Sequence, residues 1–246
     1  MNTPMHSHER FLVTHTTVLA TDIVAFGQRY RDISAQLYVR QLMYELLTDA
    51  FDMTGLSWWD CHREDRGDGT LVVAPPDIEP GWFLDPLIHH LTALLRRHAW
   101  AAGNRLPLRL RMAVHYGCVY YDAHGVTGHT LTHLFRLLEA PMFKKALATS
   151  RAPFGAIISD QLYTDVVQRG GLLNPAAYTQ VRLSCKETRT RGWLWLPGRG
   201  RSCTATLHQP SAPGDTGLGP ATNGAVQAGC ATQTGDRNAA TPGWGV

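Results

Sequence analysis

Hydrophobic and polar positions along this chain repeat with two different periods, and the switches between them mark its elements. Residues 17–25 (T-V-L-A-T-D-I-V-A) are dense in β-branched side chains and predict a strand. From about residue 28 to 51, Tyr38, Leu42, Leu46 and Ala50 recur every fourth position, with Met43, Leu47 and Phe51 widening the stripe, which predicts an amphipathic helix. Residues 57–61 and 70–74 are the expected arms of a hairpin closed by the R-G-D-G turn. A second helix runs through Leu84, Leu87, Leu91, Leu94 and Leu95, and the A-A-G-N at 101–104 stops it. Strict alternation follows over 108–120. Leu108, Leu110, Met112, Val114, Tyr116, Cys118 and Tyr120 share one face, and Arg109, Arg111 and His115 the other, as in a half-buried strand. A helix is expected over 130–147, then a strand at 156–159, a helix at 161–169 and strands at 180–185 and 192–196. Helices interleaved with mostly antiparallel strands indicate an α+β fold, one sheet with helices on one side.

Composition changes after Pro197. Residues 198–246 are rich in Gly, Pro, Ala, Thr and Ser with few large apolar side chains, so they cannot bury enough surface to offset their ordering entropy. A disordered tail is expected there, preceded by one domain at 17–197 and an N-terminal extension at 1–16. The formal charge of +3 is too small, and its Lys/Arg pairs too scattered, to call for nucleic acid as a partner. Five cysteines without a C-x-x-C spacing argue against disulfides and structural zinc and fit a reducing, cytoplasmic setting. The first ten residues lack the pattern of a secretory signal, and no apolar run approaches the ~20 residues that span a bilayer, so no membrane partner is expected.

Two acidic segments carry the candidate chemistry: A-T-D-I-V-A-F-G around Asp22 and D-R-G-D-G around Asp68. Each sets a carboxylate at the edge of an apolar run. Two carboxylates brought together by neighbouring strands can bridge divalent metals, one for an attacking oxygen and one for a polyphosphate. Either aspartate alone is equally a strand-end or hairpin-turn residue. The P-loop, dinucleotide-binding and nucleophile-elbow glycine motifs are absent from the sequence, which argues against those chemistries.

The D-I-x-x-F element at Asp22, followed by the G-D turn at Asp68, resembles the class III nucleotidyl (adenylate/guanylate) cyclase catalytic domain, over roughly residues 17–197. The resemblance implies a ferredoxin-like nucleotidyl-cyclase fold. It also implies two Mg²⁺ or Mn²⁺ ions per active site on Asp22, Asp68 and the Ile23 carbonyl. The implied activity is that of a phosphorus–oxygen lyase: the ribose 3′-hydroxyl of a nucleoside triphosphate attacks its own α-phosphorus and expels pyrophosphate. G-H-T-L-T-H-L-F-R at 128–136 matches the family's G-x-x-V-N-x-A-x-R element, which makes Arg136 the transition-state arginine and puts Thr132 where the ribose-positioning Asn stands. Lys186 matches the triphosphate lysine, with Glu187 replacing the usual glycine. The two base-reading positions fall on Glu64 and Gly125, so a purine is favoured, and the Glu64 carboxylate favours GTP over ATP.

In the family the metal aspartates come from one protomer and the Asn, Arg and Lys from its partner, which implies a homodimer. Outside the resemblance, Arg136 reads as a helix-surface residue, Lys186 as a solvent-facing strand residue and Glu64 as a hairpin glutamate. His129 and His133 lie one helical turn apart, near His124, but lack a third ligand and the H-E-x-x-H base; His115 reads as structural. Two functions remain open: a homodimeric cyclase, or a catalytically inactive cyclase-like module that binds nucleotide or dimerises in signalling.

Overall fold

A computed structural model describes residues 12–29, 31–101, 108–169, 171 and 173–198. The tail from residue 199 onward and residues 1–11 of the extension lie outside the described residues. The first strand, β1 (Leu12–Ile23), starts earlier than expected and pairs antiparallel along its whole length with β4 (Leu110–Asp122), from Leu12 opposite Tyr121 to Ile23 opposite Leu110. Between them come α1 (Ile33–Thr54), the hairpin β2 (His62–Asp65) and β3 (Gly69–Val73), and α2 (Leu87–Ala101). After β4 follow β5 (Gly125–Thr127), α3 (His129–Leu138), α4 (Pro141–Ser150) and β6 (Phe154–Ser159). A short α5 (Asp160–Leu162) runs on as a π-turn before β7 (Tyr178–Cys185) and β8 (Thr188–Trp195). The sheet order is β2-β3-β1-β4-β6-β8-β7, with β5 on β4; among the described strands only β4–β6 is parallel.

The mixed α+β architecture is as the periodicity indicates, but helices cover both faces of the sheet rather than one. Leu19, Ile23, Leu110, Met112 and Val114 pack with α1 and α2, whereas Val18, Ala20, Ala113 and Ile157 pack with α3 and α4. The pleat sends successive side chains to opposite sides, so two separate cores follow from one set of strands. This corrects the half-buried reading of β4: Arg109, Arg111 and His115 lie on the face that α3 and α4 cover. Arg109 is tucked under α4, its guanidinium donating to the Leu147 and Ala152 carbonyls at 2.7 and 2.9 Å.

Two further expectations change. The helix expected at 130–147 is two helices, because Pro141 has no N–H for an interior hydrogen bond and instead opens α4 after Ala140. The first hairpin arm is His62–Asp65, not 57–61. Residues 58–60 form a turn that sends Trp58 into the core against Phe51, with ring centroids 4.9 Å apart, and ladder pairing starts at His62 opposite Val73.

Candidate active site

Asp22, the penultimate residue of β1, stands between Gly69 of β3 and Arg111 of β4. A Cβ at position 69 would lie 2.1 Å from the Thr21 carbonyl oxygen and 3.0 Å from Asp22 Cα, so only glycine lets β3 close on β1 here. That approach brings in Asp68, whose carbonyl accepts from the Ile23 N–H at 2.8 Å. The structure thus puts Asp22, Ile23 and Asp68 at one corner of the sheet. Asp22 is 6% exposed, and its carboxyl is raised from the ordinary 3.8 to about 6, chiefly by burial. Arg111 pulls it down, and the charge of Asp68 adds to the upward push.

Arg111 is the partner that sequence reading missed. Its Nε donates to Asp22 Oδ1 at 2.8 Å and its Nη2 to Oδ2 at 2.5 Å, a bidentate fork between two nearly buried side chains. Burial outweighs the fork in setting the direction of the shift, yet a value of about 6 leaves Asp22 ionised at neutral pH.

Asp68 itself is exposed and makes no side-chain hydrogen bond to another described residue. Its turn is held from α1. Arg40 forks onto Asp65, and its Nη1 also donates to the Gly67 carbonyl at 2.6 Å. The Tyr44 hydroxyl donates to Asp65 Oδ2 at 2.7 Å, and the Gly67 N–H to Asp65 Oδ1 at 2.7 Å. Arg40 and Tyr44 lie four residues apart and so share one face of α1. The fork holds the Asp65 carboxyl well below the usual range, and burial followed by Asp65 pushes the Tyr44 phenol up to about 12.

The two base-reading candidates also meet. Glu64 Oε1 accepts from the Val126 N–H at 3.2 Å and lies 3.2 Å from His62 Nε2, while Arg66 Nη2 donates to Oε2 at 2.6 Å. A Cβ at Gly125 would come within 2.6 Å of Glu64 Oε1, so the missing side chain at 125 is what makes room for this carboxylate.

Thr132 and Arg136 lie one turn apart on α3. Thr132 is exposed, and among the described residues its hydroxyl reaches only the Gly128 carbonyl, at 3.5 Å. Arg136 is engaged by Glu187, with Nη2 at 2.7 Å and Nε at 3.3 Å from Oε1, and this contact lowers the Glu187 pKa. Lys186 and Glu187 form the two-residue turn between β7 and β8, Lys186 with φ +51°, a region that costs a non-glycine residue roughly 1 kcal/mol. Thus Lys186 is joined to Arg136 through its neighbour. His115, buried, makes a 2.8 Å hydrogen bond through Nδ1 with Ser159 Oγ, and burial lowers it to about 4.

No group of three or more His, Cys, Asp or Glu able to hold a metal occurs among the described residues. Two carboxylates and a backbone carbonyl nevertheless suit a hard cation that completes its shell with water and phosphate oxygens. A nearly buried Asp22 destabilised by desolvation and by Asp68 is the kind of group a cation relieves, but Arg111 already holds both of its oxygens. Such an ion would share Asp22 with Arg111.

No family model and no curated protein sequence matches the chain. Solved structures do. The guanylyl cyclase Cya2 aligns at 16% identity and TM-score 0.54, over 76% of this chain and 92% of its own. An adenylate/guanylate cyclase/hydrolase from Silicibacter pomeroyi aligns at 16% identity and TM-score 0.56, over 76% and 99%. The catalytic core of a rhodopsin-guanylyl cyclase, solved with ATPαS, aligns at 15% identity and TM-score 0.51, over 76% and 98%. At these identities the likeness is one of fold: the chain shares the fold of adenylate/guanylate cyclase catalytic domains.

Proposed function

We propose that the protein is a nucleotidyl cyclase that converts a nucleoside triphosphate to a 3′,5′-cyclic nucleotide and pyrophosphate. The observation that carries the reading is the corner where Asp22 and Asp68 are drawn together by the Gly69 contact, within a fold shared with cyclase catalytic domains. Asp22, Asp68 and the Ile23 carbonyl would hold Mg²⁺ or Mn²⁺, which when bound supplies an acidified 3′-hydroxyl and a neutralised triphosphate. Arg136 stabilises the charge that grows on the α-phosphate, and Lys186 holds the departing phosphates. Thr132 offers the ribose one short hydroxyl contact where an amide would offer more, which predicts a slow enzyme.

Because Arg136 and Lys186 act in this reading on the partner's metal corner, the active form is a homodimer. Glu64, in the space left by Gly125, accepts from the N1–H and N2–H₂ edge of guanine, so GTP is favoured over ATP; among the similar catalytic cores, one was solved with ATPαS. In this reading the enzyme works in the cytoplasm, whose reducing environment would keep thiols such as Cys61, Cys118 and Cys185 free. No described helix is long and apolar enough to cross a membrane. Incubation with each of the four ribonucleoside triphosphates and Mn²⁺, read by mass spectrometry, is the test. A cyclic product that disappears in Asp68→Asn supports the proposal; no cyclic product from a verified dimer refutes it.

Thr132 and the Arg136–Glu187 contact favour a second reading, a cyclase-like module that binds nucleotide without turnover. It predicts a triphosphate-dependent rise in melting temperature with no product.

A further inference from the structure

The β7–β8 hairpin ends the sheet, and its pleat sorts its residues. Leu183 and Leu194 turn into the core beneath α3 and α4. The opposite face carries Arg182 and Ser184 on β7, with Arg189 and Arg191 on β8. In the register Arg182 stands directly across from Arg191, and Ser184 across from Arg189. Like charges facing each other across a ladder destabilise it, so three guanidiniums on one face need a counter-charge.

Among the described residues only part of it is supplied. Asp160 Oδ2 lies 2.8 Å from Arg191 Nη2, while its Oδ1 accepts from Trp193 Nε1 at 2.8 Å. Glu187, at the tip of the hairpin, is turned away onto Arg136. Arg182 and Arg189 are exposed and make no ion pair or side-chain hydrogen bond with another described residue. Together with Ser184, Thr190 and Asp160, the three arginines line a shallow, open groove of about 660 Å³. Planar guanidinium forks match phosphate oxygens.

We propose that this groove binds a phosphate-bearing anion of more than one negative charge: a pyrophosphate group, either free or as the tail of a nucleoside polyphosphate. Arg182 and Arg189 grip it, Asp160 fixes the Arg191 fork beside it, and Ser184 donates its hydroxyl. The ligand relieves the Arg182–Arg191 repulsion, which gives the site a preference for multivalent anions. This site is separate from Arg136 and does not rest on the cyclase reading.

The test is isothermal titration of inorganic pyrophosphate into the full chain in EDTA, which removes any metal-dependent binding at Asp22 and Asp68. The variants are Arg182→Gln/Arg189→Gln, two exposed changes expected to leave the fold intact by circular dichroism, and Arg136→Ala. Pyrophosphate affinity is expected to fall by about tenfold or more in the double variant and to stay within about twofold in Arg136→Ala. Competition by a nucleoside triphosphate for the same binding assigns a nucleotide tail, and its absence assigns free pyrophosphate. No binding by the unmodified chain, equal binding by the double variant, or a loss that follows Arg136→Ala instead overturns the proposal.

Discussion

Replacing Asp22 by asparagine tests the electrostatics of the corner through pH. The Asp22 carboxyl rises from 3.8 to about 6 on folding, with burial as the main cause and Arg111 opposing. A raised acid binds its proton more tightly in the folded state, so its stability contribution is complete below pH 3.8 and is lost as pH rises through 6. The size of that loss is about 3 kcal/mol, from ~1.4 kcal/mol per pH unit between the two values. The Asp22→Asn variant has no such titration. It faces Arg111 with a neutral amide at every pH, as the protonated carboxyl of the unmodified chain does at low pH, so the two proteins should differ least there and diverge as Asp22 ionises. Urea unfolding of both proteins from about pH 3.5 to 7.5 isolates the effect, because the other carboxylates cancel in the difference. Relative to Asp22→Asn, the unmodified chain should lose about 3 kcal/mol between about pH 4 and 7. A flat difference would refute the reasoning. A difference of opposite sign would mean that the Arg111 fork dominates and the carboxyl lies below its ordinary 3.8.

Asp65→Ala frees the turn that presents Asp68 from Arg40 and Tyr44. The exposed contacts should be worth about 1 kcal/mol or less in unfolding, while product formation falls by about tenfold or more; an unchanged rate contradicts a positioning role. Glu187→Gln releases the Arg136 guanidinium, and half-saturation by triphosphate should come at a severalfold lower concentration in the turnover assay. An unchanged or higher half-saturation would show that Glu187 does not compete with substrate phosphates.

The elements with long, unbroken periods were legible in the sequence: α1 through Leu42, Leu46 and Ala50, and β4 through its alternation. The break between α3 and α4 was missed: the helix expected over 130–147 ran through Pro141, although an interior proline conflicts with any helix spanning it. The burial of Arg109, Arg111 and His115 was not legible either. A strand's period says which residues share a face, not whether a helix later covers that face. The Asp22–Arg111 fork depends on β1–β4 register, which two distant segments set jointly, and a slip of one residue would separate them. The Asp65 clamp and the seat of Glu64 beside Gly125 join residues far apart in sequence through single side-chain contacts, for which no local pattern exists. Asp22, Asp68 and Arg136 were singled out through a motif. The neighbours that hold them, Arg111, Arg40 and Tyr44, belong to none.

Mixing two inactive variants tests the central claim most directly. Asp68→Asn removes a metal acid and Arg136→Ala removes the transition-state cation, and each alone should give no cyclic nucleotide. In a symmetric dimer whose sites combine Asp68 of one protomer with Arg136 of its partner, a remixed heterodimer regains one complete site. The mixture should then recover about a quarter of the unmodified activity by mass spectrometry. No recovery, from variants shown to exchange subunits, would contradict a cyclase active site shared between two copies of this chain.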